Sequence, residues 1–146
     1  MTEIEITPVD SSHILEVGAM LAPLDRQEFA LTGLLDPPLA ISRSAEWSDV
    51  TYAVHIDDVL VAVSGVVSPS LYESLGRPWS WTTLEAARRP LAAARAQRTV
   101  IADMKRRYSR LENYVWSSHA PAIRLLQMSG MLVDDEPIPF GPFQQP

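Results

Sequence analysis

Two runs of β-favouring residues, set two residues apart, constrain this chain more than any other feature. Thr51-Tyr52-Ala53-Val54-His55-Ile56 is rich in β-branched and aromatic side chains. Asp57-Asp58 makes a polar turn, and Val59-Leu60-Val61-Ala62-Val63-Ser64-Gly65-Val66-Val67 follows at once. Such side chains fit a pleated, packed surface, and so short a link returns the second run antiparallel beside the first. The returning run is apolar at nearly every position and reads as a long buried strand. The middle of the chain is therefore a hairpin, and the other segments must cover it.

Upstream, Ile4-Glu5-Ile6-Thr7-Pro8-Val9 alternates apolar and polar residues, a first strand with Pro8 marking an edge or an end. Asp10-Ser11-Ser12 offers N-cap residues for a helix from about His13, with Ile14, Leu15, Val17, Met20 and Leu21 as its apolar face. A second helix is expected from Leu24 to about Leu31, closed by Gly33, and a short third piece starts at Asp36-Pro37-Pro38. Downstream, Leu71–Gly76 reads as irregular or one helical turn, and Pro78–Leu84 as a strand with Trp79 and Trp81 on one face. The longest helix runs from Glu85 or Pro90 to Tyr108, with Leu91, Ala94, Val100, Ile101 and Met104 at helical spacing. Leu111–Trp116 is a strand, Ala120–Ser129 a helix ended by Gly130, and Leu132-Val133 and Phe140–Phe143 short final strands. The order is β-α-α-β-β-β-α-β-α-β, with no internal repeat and no linker. It describes one domain over residues 1–146 with a proline-rich arm from about 137.

The 146 residues, 47% apolar and 21% charged, are enough to bury a core and argue against disorder. There is no cysteine, which excludes disulfides, thiolate nucleophiles and Cys-based metal sites and fits a reducing compartment. Met1–Glu5 has no basic or apolar leader pattern, and no apolar run approaches the ~20 residues that span a bilayer. The expectation is a soluble, cytoplasmic protein. A net charge of −6 disfavours nucleic-acid binding by the whole surface, yet Arg88, Arg89, Arg95, Arg98, Lys105, Arg106, Arg107 and Arg110 crowd one stretch.

The element order is similar to the Gcn5-related N-acetyltransferase fold, an α/β (α+β) architecture with a mixed central sheet flanked by helices. His119-Ala120-Pro121-Ala122-Ile123-Arg124-Leu125-Leu126-Gln127-Met128-Ser129-Gly130-Met131 resembles that family's final helix, with Ala122-Ile123 and Gly130 in place and His119 and Met131 standing where the family has Asn and Phe. The run through Tyr108, Leu111, Asn113-Tyr114-Val115-Trp116, Ile123-Arg124 and Gly130 also resembles an internal virion or morphogenesis protein family of short-tailed bacteriophages, over roughly the last half of the chain.

The acetyltransferase resemblance implies a glycine-rich loop after the fourth strand, where backbone N–H groups cradle the pyrophosphate of coenzyme A. Here the stretch is Thr82-Thr83-Leu84-Glu85-Ala86-Ala87-Arg88-Arg89-Pro90, with no glycine and with Glu85 set to repel phosphate. Arg88, Arg89 and His119 are the residues left to hold acetyl-CoA if binding is retained. The tyrosine acid of the family's last helix falls on Leu126, which donates no proton. No catalytic residue and no metal ligand is assigned. His55 beside Asp57 and Asp58 reads as solvent-facing, and Ser117-Ser118-His119 lacks the spatial arrangement a triad requires.

Arg95, Arg98, Arg106, Arg107 and Arg110, with Trp79, Trp81 and Trp116, have the composition of an interaction surface. The leading expectation is a non-catalytic phage virion structural or assembly protein. It acts by contact with other phage structural proteins or with itself, needs no cofactor, and is found in the infected bacterial cytoplasm or packaged in the virion. The alternative is an acyl-CoA-dependent N-acyltransferase with a degenerate pyrophosphate loop. A weaker reading is nucleic-acid binding through the Arg88–Arg110 strip.

Overall fold

The computed structural model describes residues 2–21, 26–27, 36–68, 74–112, 120–128 and 131–132. Its elements are β1 (Ile4–Thr7), α1 (Ser11–Ala19), α2 (Pro37–Trp47), β2 (Val50–Ile56), β3 (Val59–Val67), β4 (Leu75–Thr82), α3 (Leu84–Arg88), α4 (Pro90–Arg107), β5 (Arg110–Leu111) and α5 (Ala120–Met128). Of the helix expected over 24–31, only Arg26 and Gln27 are described, and they are helical. The continuation of β5 through Trp116, the closing strand at 140–143 and the proline-rich arm lie outside the described residues.

Among the described residues the strands form one five-stranded sheet in chain order. β1 to β4 are antiparallel neighbours, and β5 runs parallel to β4. The β2–β3 turn is the expected one, with Asp57 and Asp58 both at positive φ (50° and 66°). Two successive left-handed residues match the twist of the paired strands, and Asp tolerates that conformation better than most residues. Between Val54 and His55 the register slips: Val54 faces Ala62 and His55 faces Leu60, so Val61 is an extra residue. This bulge lets Leu60 and Val63 face one layer while Val61 and Ala62 face the other.

Each face of the sheet has its own core. On one side α4 lays Ala96, Val100, Ile101 and Met104 against Tyr52, Val54, Ile56, Val61 and Val66. On the other, Val17 and Leu21 at α1 and Ile41 of α2 meet Ala53, Leu60 and Val63, with Trp79 and Trp81 packed alongside. β3, the central strand, is buried at every position from Leu60 to Val66. Of the apolar residues expected to line α1, Leu15 (64% exposed) and Met20 (42%) face outward, as does Leu91 of α4 (75%). α1 turns Gly18 inward instead, and Pro38 of α2 lies where a Cβ would be, 2.7 Å away.

Caps set the helix starts. Asp10 accepts the backbone N–H of His13 at 3.0 Å, and His13 Nδ1 accepts the Asp10 N–H in return. Asp36 caps α2, which is a full 11-residue helix rather than a short piece. The long helix begins at Pro90 and is preceded by a separate short one. A proline disfavours helical backbone at the residue before it, and Arg89 leaves the helix at φ −133°, ψ 59°. Among the described residues no helix is long and apolar enough to cross a membrane.

Candidate functional site

The stretch expected to bind the phosphates of acyl-CoA follows β4, and the far end of that strand frames the candidate site. The Ser74 and Gly76 carbonyls accept the Arg110 and Glu112 N–H groups, both at 3.1 Å, while the Thr83 N–H donates to Val61 on the other side at 2.9 Å. Even-numbered residues of β4 therefore turn their main chain toward β5, and odd-numbered ones toward β3. Pro78 is the next even position, and it has no N–H to give. The described pairing of β4 with β5 is confined to Leu75 and Gly76. Pro78 removes the next donor of that ladder. Reading this proline as the start of a strand missed its effect, because only the pairing shows which way its nitrogen points.

Beyond β4 the chain closes tightly. Thr83 is buried, and its hydroxyl donates to the Leu60 carbonyl at 2.9 Å, pinning the strand end to β3. The Leu84 N–H donates to Met20 O at 3.2 Å, and the Ala86 N–H to Thr83 O at 3.2 Å. The expected phosphate loop is thus the helical turn α3, and these two amides already have acceptors. Glu85 does not stand apart from the arginines. Its Oε1 accepts from Arg88 at 2.9 Å and its Oε2 from Arg89 at 2.6 Å. The Arg89 hydrogen bond, with both arginine charges, holds the Glu85 carboxyl below the usual carboxylate range. Arg89, Pro90 and Leu91 also line a hollow at the β2–β3 turn with Thr2, Ile56 and Asp57. The start of the long helix therefore lies beside the end of β2, while Ala93 and Ala96 border a second hollow with Thr82 of β4.

Along β4 itself, Trp79 and Trp81 stand opposite Gly65 and Val63 and face the α1–α2 layer, as their alternation requires. The Trp79 ring comes within 2.6 Å of where a Gly65 Cβ would sit, and its Nε1 donates to Ser48 Oγ at 2.7 Å. Both tryptophans are half-buried. Ser80 faces the α4 layer, where its hydroxyl accepts from Ser64 at 3.0 Å. No β4 side chain is able to take a proton from an attacking amine: Arg77 is permanently charged and the rest are neutral at ordinary pH.

The arginine strip is real as geometry, and much of it is internally paired. Asp103 accepts from Arg106 at 2.7 Å and Arg107 at 3.1 Å, and Arg110 bonds Glu112 at 2.6 Å. Arg95 and Arg98 lie exposed on α4. Tyr52, buried in the core, donates its hydroxyl to the same Asp103. That bond, with those from Arg106 and Arg107, lowers the Asp103 carboxyl to about 2, while burial and Asp103 push the Tyr52 phenol upward. Nothing in the local sequence marks this cluster, which joins positions 51 residues apart.

His55 is not solvent-facing. It is half-buried, its ring meets the His13 ring edge-on at 5.3 Å, and its Nδ1 is buried with no hydrogen-bond partner. Among the described residues no group of three or more His, Cys, Asp or Glu is placed to hold a metal. Trp116 and His119 lie outside the described residues. Leu126, at the family's tyrosine position, is half-buried on α5.

No protein-family model and no curated protein matches the sequence. Solved structures match the fold. A GNAT-family acetyltransferase from Streptococcus pneumoniae superposes with a TM-score of 0.60 at 14% identity, over 90% of this chain and 86% of that one. An aminoglycoside N-acetyltransferase, AAC(6')-Iy, in complex with CoA gives 0.60 at 12% identity, over 94% and 93%. A transcriptional regulator from Bacillus halodurans gives 0.62 at 12%, over 93% and 97%. Identities this low establish the fold alone, and one fold serves both transferases and a regulator here. The described residues thus have a mixed α+β fold, a five-stranded sheet flanked by helices, that matches GNAT acetyltransferase structures. The virion-protein resemblance finds no support in these comparisons.

Proposed function

We propose that this chain is an acyl-CoA-dependent N-acyltransferase whose phosphate-binding end relies on arginine side chains instead of a glycine-rich loop. The observation that carries the reading is that Pro78 offers no N–H on the β5 side of β4, on a fold shared with a CoA-bound acetyltransferase. Ligands enter open α/β sheets beyond the carboxyl ends of strands, where neighbours diverge. Acyl transfer to an amine gains up to about 7–11 kcal/mol from holding thioester and amine in attack geometry, without any acid–base residue. Since β4 supplies no proton acceptor, the amine reacts in its neutral form, and the rate rises with pH through the acceptor's own pKa. The test is calorimetric titration with acetyl-CoA and CoA. Saturable binding in the micromolar range is expected, and no heat at millimolar ligand overturns the reading.

A second reading is favoured by α3. A closed helical turn with occupied amides and neutralised arginines is what a non-catalytic scaffold would carry, acting by protein contact through the exposed cations of α4. Virion assembly is one form of that role, and co-purification of the protein with particles would support it.

A further inference from the structure

We propose that Glu85 is an internal competitor for the ligand's phosphates, occupying Arg88 and Arg89 in place of a diphosphate until one displaces it. The inference rests on the acyl-CoA reading above and specifies how the phosphate end of that site is controlled.

The geometry is that of a shared acceptor. Each carboxylate oxygen of Glu85 takes a different arginine, Oε1 from Arg88 Nη1 at 2.9 Å and Oε2 from Arg89 Nη1 at 2.6 Å. Guanidinium groups bind phosphate oxygens through the same charge-assisted bonds. The three side chains differ in access: Arg88 is 71% exposed, Arg89 29% and Glu85 19%. The carboxylate is thus the most enclosed of the three, and Arg88 is the partner that solvent, or an incoming anion, reaches first.

Protonation does not open this contact in the physiological range, because both arginines favour the ionised carboxylate. A ligand must out-compete a single negative charge. A monophosphate carries about −1.5 to −2 charge at neutral pH but offers a single phosphoryl group, whereas a diphosphate offers one to each guanidinium group. The chain also lacks the backbone nest that would hold phosphate independently of side chains, since no glycine lies between Thr82 and Pro90 and the Leu84 and Ala86 amides are bonded. Discrimination therefore falls on the three side chains, and the ligand class is a diphosphate ester.

The test compares wild type with Glu85→Gln and Glu85→Ala in calorimetric titrations against inorganic pyrophosphate, inorganic phosphate and CoA, with thermal melting to confirm folding. Removing one charge-assisted competitor should tighten pyrophosphate binding by about tenfold or more in both variants. Phosphate affinity should change much less. Arg88→Ala with Arg89→Ala in the Glu85→Gln background should return pyrophosphate binding to the wild-type level or below. Equal pyrophosphate affinity in wild type and both variants, or no binding by any of them, overturns the proposal. Pyrophosphate binding that tightens while CoA binds no variant keeps the role of Glu85 and removes the acyltransferase reading. CoA binding that Glu85→Gln leaves unchanged does the reverse.

Discussion

Asp103 shows how much of this molecule is decided by single side chains. It lies on the basic helix, accepts from Arg106 and Arg107 on its own element, and receives the hydroxyl of Tyr52 from the sheet below. A carboxyl lowered from 3.8 in the unfolded chain to about 2 in the folded one stabilises the fold above pH ~4, and that contribution fades as pH falls toward 2. Asp103→Asn should therefore cost about 1–2 kcal/mol at neutral pH, the range of a hydrogen bond to a charged group at a partly exposed site. Urea unfolding at pH 7 and near pH 2 should show the gap between variant and wild type closing with acid. A gap that persists at pH 2 would show that Asp103 acts through packing instead. In the sequence this residue is one acid among arginines. Its partner Tyr52 is 51 positions away, so no local pattern reveals the pair.

At the scale of elements, the hairpin and strand β4 make opposite demands on their turn residues. Asp57 and Asp58 both adopt left-handed backbone, which costs a residue with a side chain about 1 kcal/mol relative to glycine. Asp57 is retained for a reason, since its carboxylate accepts the Glu3 N–H at 2.8 Å and ties the N-terminal strand to the turn. No comparable contact accompanies Asp58 among the bonds described. Asp58→Gly should raise stability by about 0.5–1 kcal/mol in chemical denaturation, whereas Asp57→Gly should gain less because it gives up that bond. In β4, Pro78 withholds the donor that the parallel ladder would use next. Pro78→Val restores it and adds a rung to the β4–β5 ladder, so acetyl-CoA binding should weaken by about tenfold while the melting temperature holds or rises. Unchanged binding would show that Pro78 does not set the opening. The helix starts were as legible as the hairpin. Asp10, Asp36 and Pro90 each start a helix where capping chemistry says they should, because a cap is a contact within three or four residues.

Across the whole molecule, charge is divided between the two faces of the sheet. The stretch 84–112 holds Arg88, Arg89, Arg95, Arg98, Lys105, Arg106, Arg107 and Arg110 against Glu85, Asp103 and Glu112, so most of the chain's 18 acids lie elsewhere. α1 and α2, over the opposite core, expose Glu16 and Glu46 beside the single cation Arg43 and begin at the exposed caps Asp10 and Asp36. Association through α4, as the second functional reading requires, must then be electrostatic and screened by salt over a Debye length of about 8–10 Å. Sedimentation in low salt should show a concentration-dependent shift, lost at high salt and reduced by Arg95→Glu with Lys105→Glu. A shift indifferent to salt would place the contact on an apolar surface instead.

The sequence by itself determined the features that depend on near neighbours. These are the hairpin, the buried central strand, the capped helices, the alternation that puts Trp79 and Trp81 on one face, the missing glycine loop and the basic helix. Periodicity, capping and turn chemistry act over a few residues, so they can be read in one dimension. Tertiary structure alone decided the rest. The Val61 bulge, the enclosed His55, the burial of Thr83, the Tyr52–Asp103 link and the direction in which Pro78 lacks a donor all depend on which strand lies beside which. Glu85 stands between the two. Its spacing to Arg88 and Arg89 is a helical one, but whether it repels an incoming phosphate or occupies the arginines first depended on that stretch folding as a helical turn and not as an open loop.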